Sequence, residues 1–268
     1  MIKMLYVGDA GILFGPIAFE SPFMIEIKDA YLREWGRYLI NALKSNPNIS
    51  IKYLPSIQAY RMFPRKYEEL EKYDVIMLSD VSSEVLRFYP EFFPLEELRE
   101  ISLLESREYV GMPDRLTLIK KFVENGGNLI MAGGWYSFSG RFGNGAWYRT
   151  PVADVLPVKI WEVDDRVETP GGAFVKVIDS THPITKNIPW DTCPPFLGYN
   201  KVELKQGAKL LAVIGEEEDP FIVVGKYGKG KVMVFTSDPV LHWGINFVKW
   251  KYYSQFWSQA IEWLGEKD

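Results

Sequence analysis

The sequence predicts a doubly wound α/β fold: a mostly parallel sheet with helices on both faces, and an antiparallel β extension in the C-terminal half. Short continuous apolar runs at Lys3–Val7, Val75–Ser79 and Leu129–Ala132 have the pattern of strands covered on both faces. Amphipathic helical stripes lie between them, and strand–helix–strand alternation implies parallel pairing through right-handed crossovers. After Thr150 the rhythm changes to closely spaced β-like runs with short links.

Taken in order, the first strand Lys3–Val7 leads into Gly8, Gly11 and Gly15, whose spacing is wrong for a dinucleotide-binding fingerprint and fits a loop over the sheet top. Tyr31, Trp35, Leu39 and Leu43 recur every four residues and predict a helix. Ile49–Leu54 alternates, as an edge strand does. Val75–Ser79 ends on Asp80. Asp114 starts a second helix with the stripe Leu116, Ile119, Phe122 and Val123, and Gly126 suits its C′ position. Beyond Leu129–Ala132, β-like runs at 158–161, 174–178, 201–204, 209–214, 221–224 and 231–236 are joined by turn material at 216–220 and 228–230. The chain closes on a helix whose apolar face is Tyr253, Phe256, Trp257, Ala260, Ile261 and Leu264. No Ser/Pro-rich linker interrupts it, so a single domain over residues 1–268 is expected.

Composition narrows the function classes. With 47% hydrophobic residues, including 16 Phe, 15 Tyr and 9 Trp, the 268-residue chain can fill a large core. A net charge of −4 with scattered Lys and Arg argues against a nucleic-acid or anionic-membrane surface. No apolar run approaches the roughly 20 residues that span a bilayer. The first residues enter a strand directly, without the pattern of a signal peptide, so a soluble cytoplasmic protein is expected. Cys193 is the single cysteine, which precludes an internal disulfide, and with no basic neighbour it reads as an inert thiol. No cofactor is read. His182, His242 and Cys193 are too few and too scattered for zinc, and no Asp/Glu spacing resembles a calcium loop, so no metal ligands are named; a carboxylate-held hard cation stays open.

Chemistry concentrates in Gly126–Gly140, a helix stop, a buried strand and a glycine-sharpened turn, Gly133-Gly134-Trp135-Tyr136-Ser137-Phe138-Ser139-Gly140. In open α/β sheets the carboxyl ends of central strands carry ligand sites. Paired amides at such a turn can hold an anion, and Ser137 or Ser139 is a candidate nucleophile if His242 acts as base and Asp238 orients it. Asp80 and Asp238 both follow strands and face one crevice if those strands are neighbours. Each is equally suited to capping a turn. Asp164-Asp165-Arg166 reads as a surface ion pair or a loop over the pocket. Trp135, Tyr136, Phe138, Trp147, Tyr148, Tyr199 and Trp243 suit stacking on a sugar or planar ligand, core packing, or an oligomer interface. Gly225–Val232 mimics a phosphate loop but has Val232 where a magnesium-binding hydroxyl belongs, and it links two strands, which predicts a hairpin turn.

The segments Tyr73–Asp80, Gly126–Gly140, Thr150–Pro157, Asp164–Val167, Leu197–Asn200, Val224–Gly230, Thr236–Asp238 and His242-Trp243-Gly244 occur in an order that resembles the class I glutamine amidotransferase-like superfamily. The closer resemblance is to a branch labelled glutamine amidotransferase and related to trehalose-utilisation-type proteins. The resemblance implies a flavodoxin-like sheet. It also implies a cysteine on the elbow after the strand Leu129–Ala132, with a histidine and a glutamate after Lys231–Thr236. Here Gly133-Gly134-Trp135 occupies the elbow and Ser237-Asp238-Pro239 the histidine region, so glutaminase activity is not expected.

The expected function is therefore binding of a small polar ligand, of which carbohydrate is one class, at the carboxyl edge of the sheet. Gly133, Gly134, Trp135 and Ser137 would form the floor, with Asp80, Asp238, His242 and Tyr199 around it. One alternative is a hydrolase or isomerase using Ser137 or Asp238 with His242, which requires a Ser137 or Ser139 hydroxyl or the Asp238 carboxylate within about 3.2 Å of His242 or one water away. Another is a non-catalytic oligomeric subunit, a homo-oligomer in which Trp147 is buried only on assembly.

Overall fold

A computed structural model of the chain describes residues 1–15, 17–21, 24–27, 29–92 and 111–266. Its centre is an eight-stranded sheet. The parallel part comprises β1 (Ile2–Gly8), β6 (Ile49–Leu54), β7 (Val75–Ser79), β8 (Asn128–Ala132) and β16 (Gly230–Phe235), which lie side by side in the order β6-β1-β7-β8-β16. Numbered along the chain, these parallel strands run 2-1-3-4-5, the flavodoxin-like arrangement. Beyond β16 the sheet continues antiparallel through β15 (Asp219–Tyr227) and β14 (Lys209–Ile214) to the edge strand β11 (Val175–Val177).

The apolar runs occupy strands because both faces are covered. Met4, Tyr6, Met77, Ile130, Ala132, Met233 and Phe235 pack on one side with Leu39 and Leu43 of the helix Arg37–Leu43 and Trp257 and Ile261 of the helix Tyr253–Gly265. The alternate residues Leu5, Val7, Ile76, Leu78, Leu129, Met131, Val232 and Val234 pack on the other with Ala59, Leu86, Val152 and the stripe Leu116, Ile119, Phe122 and Val123. Each large side chain buried this way contributes roughly 1.5–3 kcal/mol, so a strand exposed on either face would lose about half of what holds it. Asp114 caps the helix Arg115–Glu124 by accepting from the Leu116 N–H at 3.0 Å, and Gly126 follows its end at φ +110°. Gly225–Val232 is a hairpin: Tyr227 pairs with Gly230, and Gly228 takes φ +56°.

Among the described residues four further two-stranded pairs form. They are β2 (Ala10–Phe14) with β5 (Ala30–Glu34), β3 (Ile17–Ser21) with β4 (Met24–Ile27), β9 (Val158–Ile160) with β13 (Val202–Leu204), and β10 (Arg166–Ala173) with β12 (Phe196–Asn200). Two expectations are corrected here. The glycine-marked segment after β1 is no simple loop, because Ala10–Phe14 forms a ladder with β5. Tyr31 consequently belongs to that ladder, 42% exposed, and the helix starts only at Arg37. The four-residue spacing of Tyr31 and Trp35 with Leu39 and Leu43 is a coincidence that strand pairing overrides. Among the described residues no helix is long and apolar enough to cross a membrane.

Candidate functional site

Because β1, β7, β8 and β16 are adjacent and parallel, the residues just past their carboxyl ends become neighbours: Asp9, Asp80, Gly133-Gly134 and Asp238. The strand order reverses between β1 and β7, the position where open α/β sheets bind ligands. Gly8 allows the approach of those two strands. It sits at φ +118°, and a Cβ there would lie 1.7 Å from the Ser79 carbonyl oxygen. The Asp9 N–H donates to that same carbonyl at 3.0 Å. Asp9 and Asp80 both take left-handed backbone, φ 45° and 41°, which turns their side chains over the sheet edge. One oxygen from each of Asp9, Asp80 and Asp238 lies within 4.8 Å of the others.

Burial and mutual repulsion dominate the electrostatics. Asp9 and Asp238 are fully buried and Asp80 is partly so. Burial first, then the Asp238 charge, raises the Asp80 carboxyl to about 7, against the Tyr136 N–H that donates to its Oδ1 at 2.8 Å. Burial and the Asp80 charge lift Asp9 well above the ordinary carboxylate range, although the Tyr6 hydroxyl donates to its Oδ2. Burial also raises Asp238, opposed by His242, whose Nδ1 lies 3.0 Å from Asp238 Oδ2. For His242, burial lowers the pKa, but the Asp238 bond and the Asp238, Asp80 and Glu168 charges outweigh it and raise it. Carboxyls whose pKa values are perturbed by burial and like charges cluster at functional sites.

The floor is set by Gly133 and Gly134. A Cβ on Gly133 would lie 2.5 Å from the Thr236 carbonyl oxygen, and one on Gly134 would lie 2.5 Å from Asp80 Oδ1 and 2.6 Å from Asp238 Oδ1. Asn200, at the end of β12, accepts from the Gly134 N–H at 2.9 Å and donates to Asp165 Oδ1 at 2.8 Å. Asp165 in turn accepts from the Ser139 and Gly140 N–H groups at 2.8 and 2.9 Å. The wall is aromatic. The Trp135 ring meets His242 edge-on at 4.6 Å, and Glu168 accepts from the Trp135 and Trp243 indoles at 3.0 and 2.9 Å. Arg141 lies over Trp135 at 4.6 Å. The His242 side chain is 44% exposed and Tyr136 42%, so the cluster reaches solvent on their side.

Of the residues named from sequence, Asp80, Gly133, Gly134, Trp135, Asp238 and His242 come together. The fully buried Ser137 meets them through its Oγ, which accepts from the Asp80 N–H at 3.0 Å. Ser139 Oγ donates to the Trp161 carbonyl. Neither serine has a hydrogen bond to His242 among the described residues, whereas Asp238 does. Tyr199 is not brought to the cluster: it is buried in the core, and its hydroxyl donates to Asp219 Oδ2 at 2.8 Å. Asp164 and Arg166 form an ion pair at 2.7 Å, while the buried Asp165 braces the Ser139–Gly140 turn. Trp147 is completely buried within the single chain, its indole donating to the Val81 carbonyl at 2.9 Å. The Cys193 thiol is buried and pushed up to about 12 by that burial, and among the described residues no imidazole is a hydrogen-bond partner of it.

Sequence reasoning missed Asp9, Asn200 and Glu168 as parts of this site, while Asp165 fits the expectation of a loop over the pocket. Asp9 directly follows the first buried strand and could have been found by the criterion that singled out Asp80. Asn200 and Glu168 carried no such signal, because β10 and β12 were not recognised as strands. Two cavities, of about 480 and 580 Å³, open elsewhere. The first is lined by Tyr73, Asp74, Asn128 and Gly265, the second by Pro157, Lys205, Tyr227 and Trp263. Neither includes Gly134 or Asp238.

Residues 28–266 match the model of the family described as "Putative glutamine amidotransferase". Among solved structures, a cytoplasmic protein from Salmonella typhimurium is 30% identical with TM-score 0.87, covering 99% of this chain and 100% of its own. A second cytoplasmic protein, from strain LT2 of that organism, is 33% identical with TM-score 0.85 over 99% of this chain and 100% of its own. A protein from Bacteroides uniformis described as thua-like is 12% identical with TM-score 0.58, covering 100% of this chain and 92% of its own, a likeness of fold. None of the curated proteins compared matches the chain significantly. With the family model matched over most of its length and the flavodoxin-like strand order in place, the chain belongs to the glutamine amidotransferase-like family.

Proposed function

We propose that this protein binds a small polar ligand, of the carbohydrate or polyol class, at the carboxyl edge of its sheet and does not hydrolyse glutamine. The observation that carries the reading is the convergence of Asp80 Oδ1 and Asp238 Oδ1 on the side-chain-free face of Gly134. Carboxylates accept hydrogen bonds from hydroxyl groups, and the indole of Trp135 offers a face for the apolar side of a sugar ring. The solvent-exposed groups at the cluster include His242 and Tyr136, so a ligand would enter on their side. The glutaminase machinery is missing at its expected places: the elbow is glycine, and the buried thiol of Cys193 stays protonated. A cytoplasmic location and a single domain over the whole chain complete the reading, the former supported by what the Salmonella relatives are called.

Tryptophan fluorescence of the full chain, titrated with a panel of neutral monosaccharides and polyols, tests it. Saturable quenching with Kd in the micromolar-to-millimolar range is expected, weakened about 10-fold, or about 1.4 kcal/mol, by Trp135→Ala. Absence of saturable binding across the panel sinks the ligand reading, and Cys193-dependent ammonia release from glutamine sinks the inactive-glutaminase part.

One observation favours a second reading. Asp238 lies 3.0 Å from His242 Nδ1, the geometry of an oriented base, which supports proton transfer to or from the bound ligand, as in an isomerase or hydrolase. Exchange of ligand C–H protons with deuterated water, lost in His242→Gln, would separate it from binding alone.

A further inference from the structure

The geometry points to a binding site for one divalent cation of the hard, oxygen-preferring class, held by Asp9, Asp80 and Asp238. The three residues come from the ends of β1, β7 and β16, so no local spacing in the sequence announces them. One carboxylate oxygen of each lies within 4.8 Å of the others. A cation bonded to oxygens at about 2.0–2.6 Å spans ligand pairs up to roughly 5 Å apart, so a single ion reaches all three.

A separate observation points to the ion. Asp9 Oδ1 and Asp238 Oδ1 are buried oxygens with no hydrogen-bond partner among the described residues, on residues only 1% and 0% exposed. Their sister oxygens are occupied: the Tyr6 hydroxyl donates to Asp9 Oδ2, and the Trp243 N–H and His242 hold Asp238 Oδ2 at 2.9 and 3.0 Å. Each of these two carboxylates thus has one oxygen pinned by a donor and the other left over. A buried carboxylate oxygen without a donor is costly, and a cation removes that cost. The space beside them is kept clear by Gly134, where a Cβ would sit 2.5 Å from Asp80 Oδ1 and 2.6 Å from Asp238 Oδ1. Charge agrees: among the described residues the one basic side chain paired with the three carboxylates is His242, on Asp238, and it is charged only when protonated.

The donor set is oxygen only, which favours Mg²⁺, Mn²⁺ or Ca²⁺ over the thiolate- and imidazole-seeking metals. Three protein oxygens leave further coordination places for water or for hydroxyl groups of a bound ligand. The proposal shares Asp80 and Asp238 with the ligand reading but does not rest on it.

The test uses the full chain, stripped with a chelator and titrated with Mn²⁺ alone at about pH 8, because protons compete with a metal for carboxylate oxygens. Free Mn²⁺ is followed by electron paramagnetic resonance. The expected result is one saturable site per chain, displaced by excess Mg²⁺ or Ca²⁺ and accompanied by a rise in Tm. Asp80→Asn and Asp9→Asn should each weaken it at least 10-fold, the least that loss of even an outer-shell partner of a metal ligand costs, while Asp154→Asn, an ion-paired carboxylate remote from the cluster, leaves it intact. Absence of saturable binding overturns the proposal, as do several weak sites or one site indifferent to Asp80→Asn. If Asp9→Asn does not fold, the partly exposed Asp80 variant decides, with circular dichroism as the control. The titration contains no sugar, and the sugar titration is repeated on chelator-treated protein, so failure of one reading is distinguishable from failure of the other.

Discussion

Asn200 and Gly134 form a reciprocal pair: the Asn200 side-chain oxygen accepts from the Gly134 N–H at 2.9 Å while its nitrogen donates back to the Gly134 carbonyl at 3.2 Å. An amide side chain therefore stands in for a neighbouring strand where the backbone after β8 leaves the sheet. The same nitrogen also reaches Asp165, so one buried residue ties the glycine floor to the turn above it.

Asn200→Ala strands the Gly134 amide and removes a donor from Asp165. Buried groups left without partners cost about 1–3 kcal/mol each, so a loss of about 2–4 kcal/mol is expected in urea unfolding. A loss under about 0.5 kcal/mol, the level of an ordinary surface change, would mean water replaces the amide without cost.

Gly134→Ala introduces a methyl group into the space between Asp80 Oδ1 and Asp238 Oδ1, on backbone at φ +137°. Strain of this type costs on the order of 1–3 kcal/mol before the clash is added. Chemical denaturation should show at least that loss, and any ligand bound at the cluster should be expelled. A variant with wild-type stability would show that the loop moves aside freely.

Asp165 predicts a pH dependence of stability. Burial, opposed by the Asn200, Ser139 and Gly140 donors, raises its folded pKa to about 6 from an ordinary 3.8. The folded chain then binds this proton more tightly than the unfolded chain does. The contribution is fully present below about pH 4, declines as pH rises towards 6, and is lost above it. Asp165→Asn should flatten stability against pH over that window, whatever its effect on the absolute value, since Asn keeps one acceptor for two backbone donors. An unchanged slope would assign the titration to other groups.

Cys193 should resist alkylation. With its thiol pushed up to about 12 and buried, almost no thiolate exists near neutral pH, so iodoacetamide should modify it only after denaturant is added. Rapid stoichiometric labelling of the native protein would reveal a reactive cysteine and reopen the question of nucleophilic chemistry.

Much of the architecture was legible because the signals were local. Residues 75–79 and 129–132 are apolar on both faces, and Asp114 and Gly126 bracket a helix with standard caps. The β2–β5 ladder was not legible, since Tyr31 and Trp35 happen to fall in helical phase with Leu39 and Leu43. The site was half visible. Asp80, Gly134 and Asp238 announce themselves as residues after strands, but their meeting depends on strand order, which no single segment encodes. Asp9 is hidden inside a glycine-rich stretch, and the aromatic ring of Tyr199 says nothing about which side of β12 it faces. Its neighbour Asn200, on the opposite face, is the one that reaches the floor.

The eight-stranded sheet terminates on one side in β11, a mere three residues long, whose outward Lys176 is bonded to Glu218 at 2.6 Å. The opposite margin, β6, alternates Ser50 and Lys52 into solvent. Both rims thus confront a second copy with hydrated, charged side chains on short ladders, which discourages edge-on stacking into filaments. Concentrated preparations should resist fibril growth, and replacing Lys52 and Lys176 by valine should be enough to erode that resistance.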